Sequence, residues 1–130
     1  MKRILTTAAI SLALLVPAVP AAQAKDGDDG EILRTGSCSG SADWKLKAKR
    51  DDGALEVEWE VDSNRVGQVW RVRIFDNGDR VVATRRTTQA PSGSFEVERH
   101  IANRAGSDHL VARSRDLASG QVCRGTLTFG

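Results

Sequence analysis

Arginine is the functional group this chain supplies most freely. Residues 66–130 hold ten arginines against six acids, whereas residues 25–65 hold eleven acids against seven bases. A guanidinium is a planar fork of donors that grips a phosphate or carboxylate through two oxygens at once, so arginines gathered on one surface make an anion-binding site. Residue types for covalent or acid–base chemistry are scarce: two histidines, His100 and His109, and two cysteines, Cys38 and Cys123. Neither histidine falls in an H-x-H or H-E-x-x-H pattern, and no nucleophile elbow, phosphate loop or C-x-x-C motif occurs. Two cysteines cannot build a thiolate zinc site. No enzymatic activity, cofactor or metal is expected. The run Asp26-Gly27-Asp28-Asp29-Gly30-Glu31 has the carboxylates of a calcium loop without the D-x-D-x-D-G spacing or the distal glutamate. It reads as part of a flexible, solvated lead over residues 25–36.

The groups that remain must be placed by the rest of the chain, which begins with a targeting pattern. Met1-Lys2-Arg3 precede an apolar run from Ile4 to Val16, then Pro17, and the stretch ends at Ala22-Gln23-Ala24. A basic start, a short apolar core and an A-x-A exit are the marks of an export signal, cleaved after Ala24. The apolar run is shorter than the ~20 residues of a spanning helix. A secreted protein with no membrane span after cleavage is expected. Without Lys2 and Arg3, seventeen basic side chains balance seventeen acidic ones, so the formal charge of +2 is no reason to expect nucleic acid as a partner. Residues 37–130 have the length of one domain. In an oxidising compartment Cys38 and Cys123 most simply pair as one disulfide, with two free thiols or a bridge to another chain as alternatives.

Period-two alternation organises that domain. Trp44, Leu46 and Ala48 alternate with Lys45, Lys47 and Lys49, and Leu55, Val57, Trp59 and Val61 alternate with Glu56, Glu58 and Glu60. Asp52-Gly53 lies between them, a hairpin turn signal. Trp70, Val72 and Ile74 alternate with Arg71 and Arg73, and Asn77-Gly78 then predicts a two-residue turn. In that register Ile74 opposes Val81 and Val72 opposes Ala83, which puts Val82, Thr84 and Arg86 on the face of Arg71 and Arg73. Further strands follow at Ser94–Ile101, His109–Arg115 and Gln121–Phe129. Seven short strands without helical periodicity predict an all-β antiparallel sandwich or small barrel.

Three of these strands carry a resemblance. Leu55-Glu56-Val57-Glu58-Trp59 is similar to the L-x-V-x-W strand of fibronectin type III and immunoglobulin-like domains, with Trp59 as the core tryptophan. Trp70-Arg71-Val72-Arg73-Ile74 and Leu110-Val111-Ala112-Arg113-Ser114 resemble the family's third and sixth strands, although the tyrosine that usually opens the sixth is absent. The likeness covers about residues 41–129, and the whole also looks like small exported bacterial proteins of this size. It implies a seven-stranded sandwich in which strands one, two and five face strands four, three, six and seven. That order brings Cys38 and Cys123 to the same end.

The same order collects Arg71, Arg73, Arg86, Arg113, Arg115 and Arg124 on one solvent face, the candidate ligand-binding residues. The expected function is therefore a monomeric binding module for an anionic polymer or acidic surface. The opposite face carries a lysine–glutamate ladder that reads as self-satisfied. The alternative is an inhibitor of an extracellular hydrolase, acting through the loops Asp62–Gly67, Thr88–Gly93 and Asp116–Gly120, with Asn64, Arg65, Gln89 and Ser119 as contacts.

Overall fold

The computed structural model describes residues 30–130; the expected export signal and residues 25–29 of the expected lead lie outside the described residues. Alternation becomes strand throughout: β1 (Ile32–Ser37), β2 (Asp43–Asp51), β3 (Ala54–Asp62), β4 (Val69–Asp76), β5 (Asp79–Thr87), β6 (Ser94–Ala102), β7 (Asp108–Asp116) and β8 (Val122–Phe129). No helix occurs among the described residues. Two four-stranded antiparallel sheets result, ordered β1-β2-β3-β6 and β5-β4-β7-β8. The expected partition of seven strands is present, with one strand added.

That strand, β1, corrects the expected count. All but Ser37 of it falls in what reads as flexible lead, because its two apolar residues, Ile32 and Leu33, are adjacent and give no alternation. It is held instead by pairing along the free edge of β2, from Ile32 opposite Ala48 to Ser37 opposite Asp43. Trp44 secures it. A Cβ at Gly36 would stand 2.5 Å from Trp44 Cζ2, and one at Gly125 on β8 would stand 2.6 Å from Trp44 Cζ3. Two glycines from opposite sheets thus make room for one indole, which closes that side of the sandwich.

Inward residues of both sheets build the core, with Leu46, Leu55, Trp59, Trp70, Ile74 and Leu110 fully buried. Each such side chain contributes about 1.5–3 kcal/mol by leaving water. Trp59 stacks on Trp44 at 5.5 Å and donates its indole N–H to Ser114 Oγ at 2.6 Å, a buried bond between the sheets. The disulfide is formed: Cys38, in the β1–β2 connection, is bonded to Cys123 at the start of β8, closing a sequence separation of 85 residues.

Both hairpin turns adopt the left-handed backbone their Asp-Gly and Asn-Gly pairs permit, at Asp52-Gly53 and Asn77-Gly78. The second hairpin departs from its expected register. Asp76 pairs with Asp79 and Phe75 with Arg80, but Ile74 then meets Val82 rather than Val81, across a bulge. The extra residue lets both valines reach the interior: Val82 is buried, and Val81 packs against the core half-buried. Every later pair shifts by one.

Candidate anion-binding face

The outer face of β5-β4-β7-β8 is built on its two central strands. Antiparallel pairing sets Arg71 of β4 opposite Arg115 of β7, and Arg73 opposite Arg113. All four are exposed. They rise from the corners of a rectangle roughly 5 Å across the strands and 7 Å along them, around a depression of about 230 Å³. The rows continue outward. Arg85 of β5 lies opposite Arg71, and Arg124 of β8 lies opposite Arg113. One step further along, Arg80 stands opposite Phe75.

Seven arginines therefore share a face whose strand positions include no carboxylate. The acids of these strands are placed elsewhere: Asp76, Asp108 and Asp116 are buried in the inward register, and Asp79 borders the β4–β5 turn. Among the described residues, none of the seven arginines comes within 4.0 Å of a carboxylate oxygen. Like charges directly opposite one another across strands are destabilising. Uncharged β-formers such as threonine suit outward strand positions better, so folding does not demand this concentration.

Five of the six arginines expected on this face stand there: Arg71, Arg73, Arg113, Arg115 and Arg124. Arg86 does not. The bulge turns it into the inward register opposite Trp70, where its Nη1 donates to Thr84 Oγ1 at 2.8 Å and to the Arg85 carbonyl at 2.9 Å. Arg85 takes its place. Repeated arginine was the available signal for Arg85 and Arg80; the bulge that decides between Arg85 and Arg86 has none.

The outer face of the other sheet has the opposite sign. Lys47 pairs with Glu58 at 2.8 Å and Lys49 with Glu56 at 3.5 Å, so part of the expected ladder exists. β3 has a second neighbour, however, and β6 places Glu98 opposite Glu58 and Glu96 opposite Glu60. Four glutamates thus occupy a rectangle of the same kind as the four arginines. Outward positions of β2, β3 and β6 carry eight carboxylates against three lysines and His100. Partial desolvation, then repulsion from Glu58 and Glu60, raises the Glu96 carboxyl above its ordinary range. The nearby Glu56 carboxylate, with Glu58 and Glu96, raises that of Glu98. His100 bonds Asp51 Oδ2 at 2.9 Å, which raises its pKa and favours the imidazolium. His109 is exposed, with Nδ1 3.0 Å from Thr128 Oγ1.

Two further clusters are structural in character. Asp76 and Asp108 are both buried, and desolvation together with the neighbouring Asp108 carboxyl raises Asp76 to about 6; both Asp76 oxygens and Asp108 Oδ2 lack a hydrogen-bond partner among the described residues. Arg104 crosses above, with Nε 3.5 Å from Asp76 Oδ2 and Nη1 2.8 Å from Asp79 Oδ2. At the disulfide end the three expected loops do gather. Ser63 N–H and Oγ both donate to the Gly93 carbonyl, and Leu117 N–H donates to the Val69 carbonyl. Arg65 and Ser119 line a polar cleft of about 420 Å³ there. Asn64 and Gln89 do not line it; Asn64 N–H is bonded to Asp62 Oδ1 and Gln89 Nε2 to the Thr87 carbonyl.

No protein-family model matches the chain, and neither a curated protein nor a solved structure does. The fold is an all-β sandwich of two antiparallel sheets tied by one disulfide.

Proposed function

We propose that this chain is a secreted, non-enzymatic binding module of fibronectin- or immunoglobulin-like type, whose ligand is a linear anionic polymer taken on the outer face of β5-β4-β7-β8. One observation carries the reading: seven arginines occupy that face and no strand position on it is acidic. The fibronectin-like assignment is supported by the strand order and by the buried Trp59. Each exposed guanidinium–anion contact is weak by itself. A polymer multiplies such contacts, because its second charge arrives at high effective concentration once the first is bound. Arginine rather than lysine at all seven positions favours anions with two oxygens to offer the fork, such as phosphate esters, sulfate esters or free carboxylates.

Retention on immobilised heparin tests the reading. The protein is expected to bind at low ionic strength and to elute as salt rises, since exposed charges are screened within about 8 Å at 0.15 M. A variant combining Arg71→Ser, Arg73→Ser, Arg113→Ser and Arg115→Ser is expected in the flow-through. Equal, negligible retention of both proteins would overturn the proposal.

A further inference from the structure

The sandwich is an electrical dipole across its thickness. Its arginine face and its glutamate face belong to different sheets and point in opposite directions, so one molecule cannot bring them together. We infer that the glutamate face is a docking surface for the arginine face of a second copy of this chain, producing a head-to-tail stack. The inference rests on the same arginine face as the polymer reading and assigns a role to the side of the protein that reading leaves free.

Geometry favours this occupant. Arg71, Arg73, Arg113 and Arg115 stand at adjacent outward positions of the antiparallel pair β4–β7. Glu58, Glu60, Glu96 and Glu98 stand at adjacent outward positions of the antiparallel pair β3–β6. Both rectangles inherit their dimensions from the strand spacing and the two-residue repeat, so they match without adjustment. Each is a set of like charges facing one another within its own sheet. Lys47 answers Glu58, whereas Glu96 and Glu98 make no ion pair among the described residues. Laying one rectangle on the other relieves both repulsions at once.

The contact is heterologous, and because its two patches lie on opposite faces it does not close into a ring. It is also small. Four strands by three outward positions cover roughly 19 Å by 20 Å, which buries on the order of 800 Å² over both partners, less than the ~1,200 Å² at which stable complexes begin. Isolated molecules are therefore monomers at ordinary ionic strength and low concentration. Stacking belongs to low salt, or to high local concentration such as a polymer decorated with copies, where the first layer presents its glutamate face outward to the next.

Two complementary variants test this. The arginine-face variant described above keeps the glutamate face, and a variant carrying Glu96→Lys and Glu98→Lys keeps the arginine face. Sedimentation equilibrium at about 0.01 M salt, where charges are felt over about 30 Å, is run on wild type, each variant and their equimolar mixture, with circular dichroism to verify folding. The wild-type mass is expected to climb with concentration. Each variant alone is expected to stay monomeric, and the mixture to stop at a dimer. A monomeric wild type, a mixture no heavier than its components, or variants that associate as well as wild type would each overturn the inference. Should either variant fail to fold, Glu96→Gln with Glu98→Gln and Arg73→Ser with Arg113→Ser replace them in the same mixture. Heparin retention of the variant carrying Glu96→Gln and Glu98→Gln, which adds no cation, reads polymer binding separately. Retention without a mixed dimer sinks stacking alone, and a mixed dimer without retention sinks the polymer reading alone.

Discussion

Glu58 on β3 stands directly opposite Glu98 on β6, and the cation that reaches Glu58 comes from the other side, from Lys47 at 2.8 Å. Glu98 is thus left with carboxylates as cross-strand company. Replacing it by a cation turns a repulsive pair into an attractive one on a solvated edge strand. Glu98→Lys is expected to raise the thermal midpoint by about 1–4 °C. A lower midpoint would show that the glutamates are held by something other than this pairing.

Trp59 and Ser114 join the two sheets through a buried hydrogen bond. Ser114→Ala leaves the indole N–H without a partner and is expected to cost about 1–3 kcal/mol in chemical denaturation. In a Trp59→Phe background the donor is gone, and the same serine change should cost much less. Equal costs in both backgrounds would disprove the coupling.

The indole of Trp44 occupies space that a side chain at Gly125 would need. Gly125→Ala is expected to destabilise by about 1–3 kcal/mol through overpacking. Trp44→Leu should remove most of that penalty, as measured by the urea midpoints of the two single variants and the double.

Stability should fall as pH rises from mildly acidic to alkaline. Asp76 is raised from 3.8 to about 6, and Glu96, Glu98 and His100 are raised as well. A group that holds its proton more tightly when folded adds stability at low pH. That contribution is lost as pH climbs through the folded pKa. For Asp76 the loss spans about pH 4 to 6, and for His100 it begins above 6.5. Asp76→Asn keeps the shape, removes the charge and adds an amide donor beside the unpartnered Asp108 Oδ2. It is expected to flatten the midpoint profile between pH 4 and 6 and to raise the midpoint near pH 7.5 by several degrees. An unchanged profile would remove Asp76 as its source.

The Cys38–Cys123 bond closes 85 residues of sequence separation, and a loop of that size is worth roughly 4–5 kcal/mol in the chain-entropy model. Reduction, or Cys38→Ala with Cys123→Ala, is expected to lower the thermal midpoint by well over 5 °C. A midpoint that does not move would mean that the packed indole of Trp44 alone holds β1 and β8 together.

Local pattern by itself determined β2 to β8, both Gly-containing hairpin turns and the burial of Trp59, because side-chain alternation and turn chemistry are written within a few residues of where they act. With the resemblance it also determined which strands share a sheet, and so the meeting of Cys38 and Cys123. Only the tertiary structure decided the rest. β1 forms because β2 has a free edge and Gly36 leaves room for Trp44, which Ile32-Leu33-Arg34 cannot announce. Arg85 rather than Arg86 joins the arginine face because both Val81 and Val82 seek the core, and the bulge that satisfies them moves every later residue by one. Glu96 and Glu98 share the outward face with the lysine–glutamate ladder, but only the register of β6 on β3 sets them opposite Glu60 and Glu58. Charges are local, but their compensation depends on which strand lies alongside, and that is settled only when the sheets assemble.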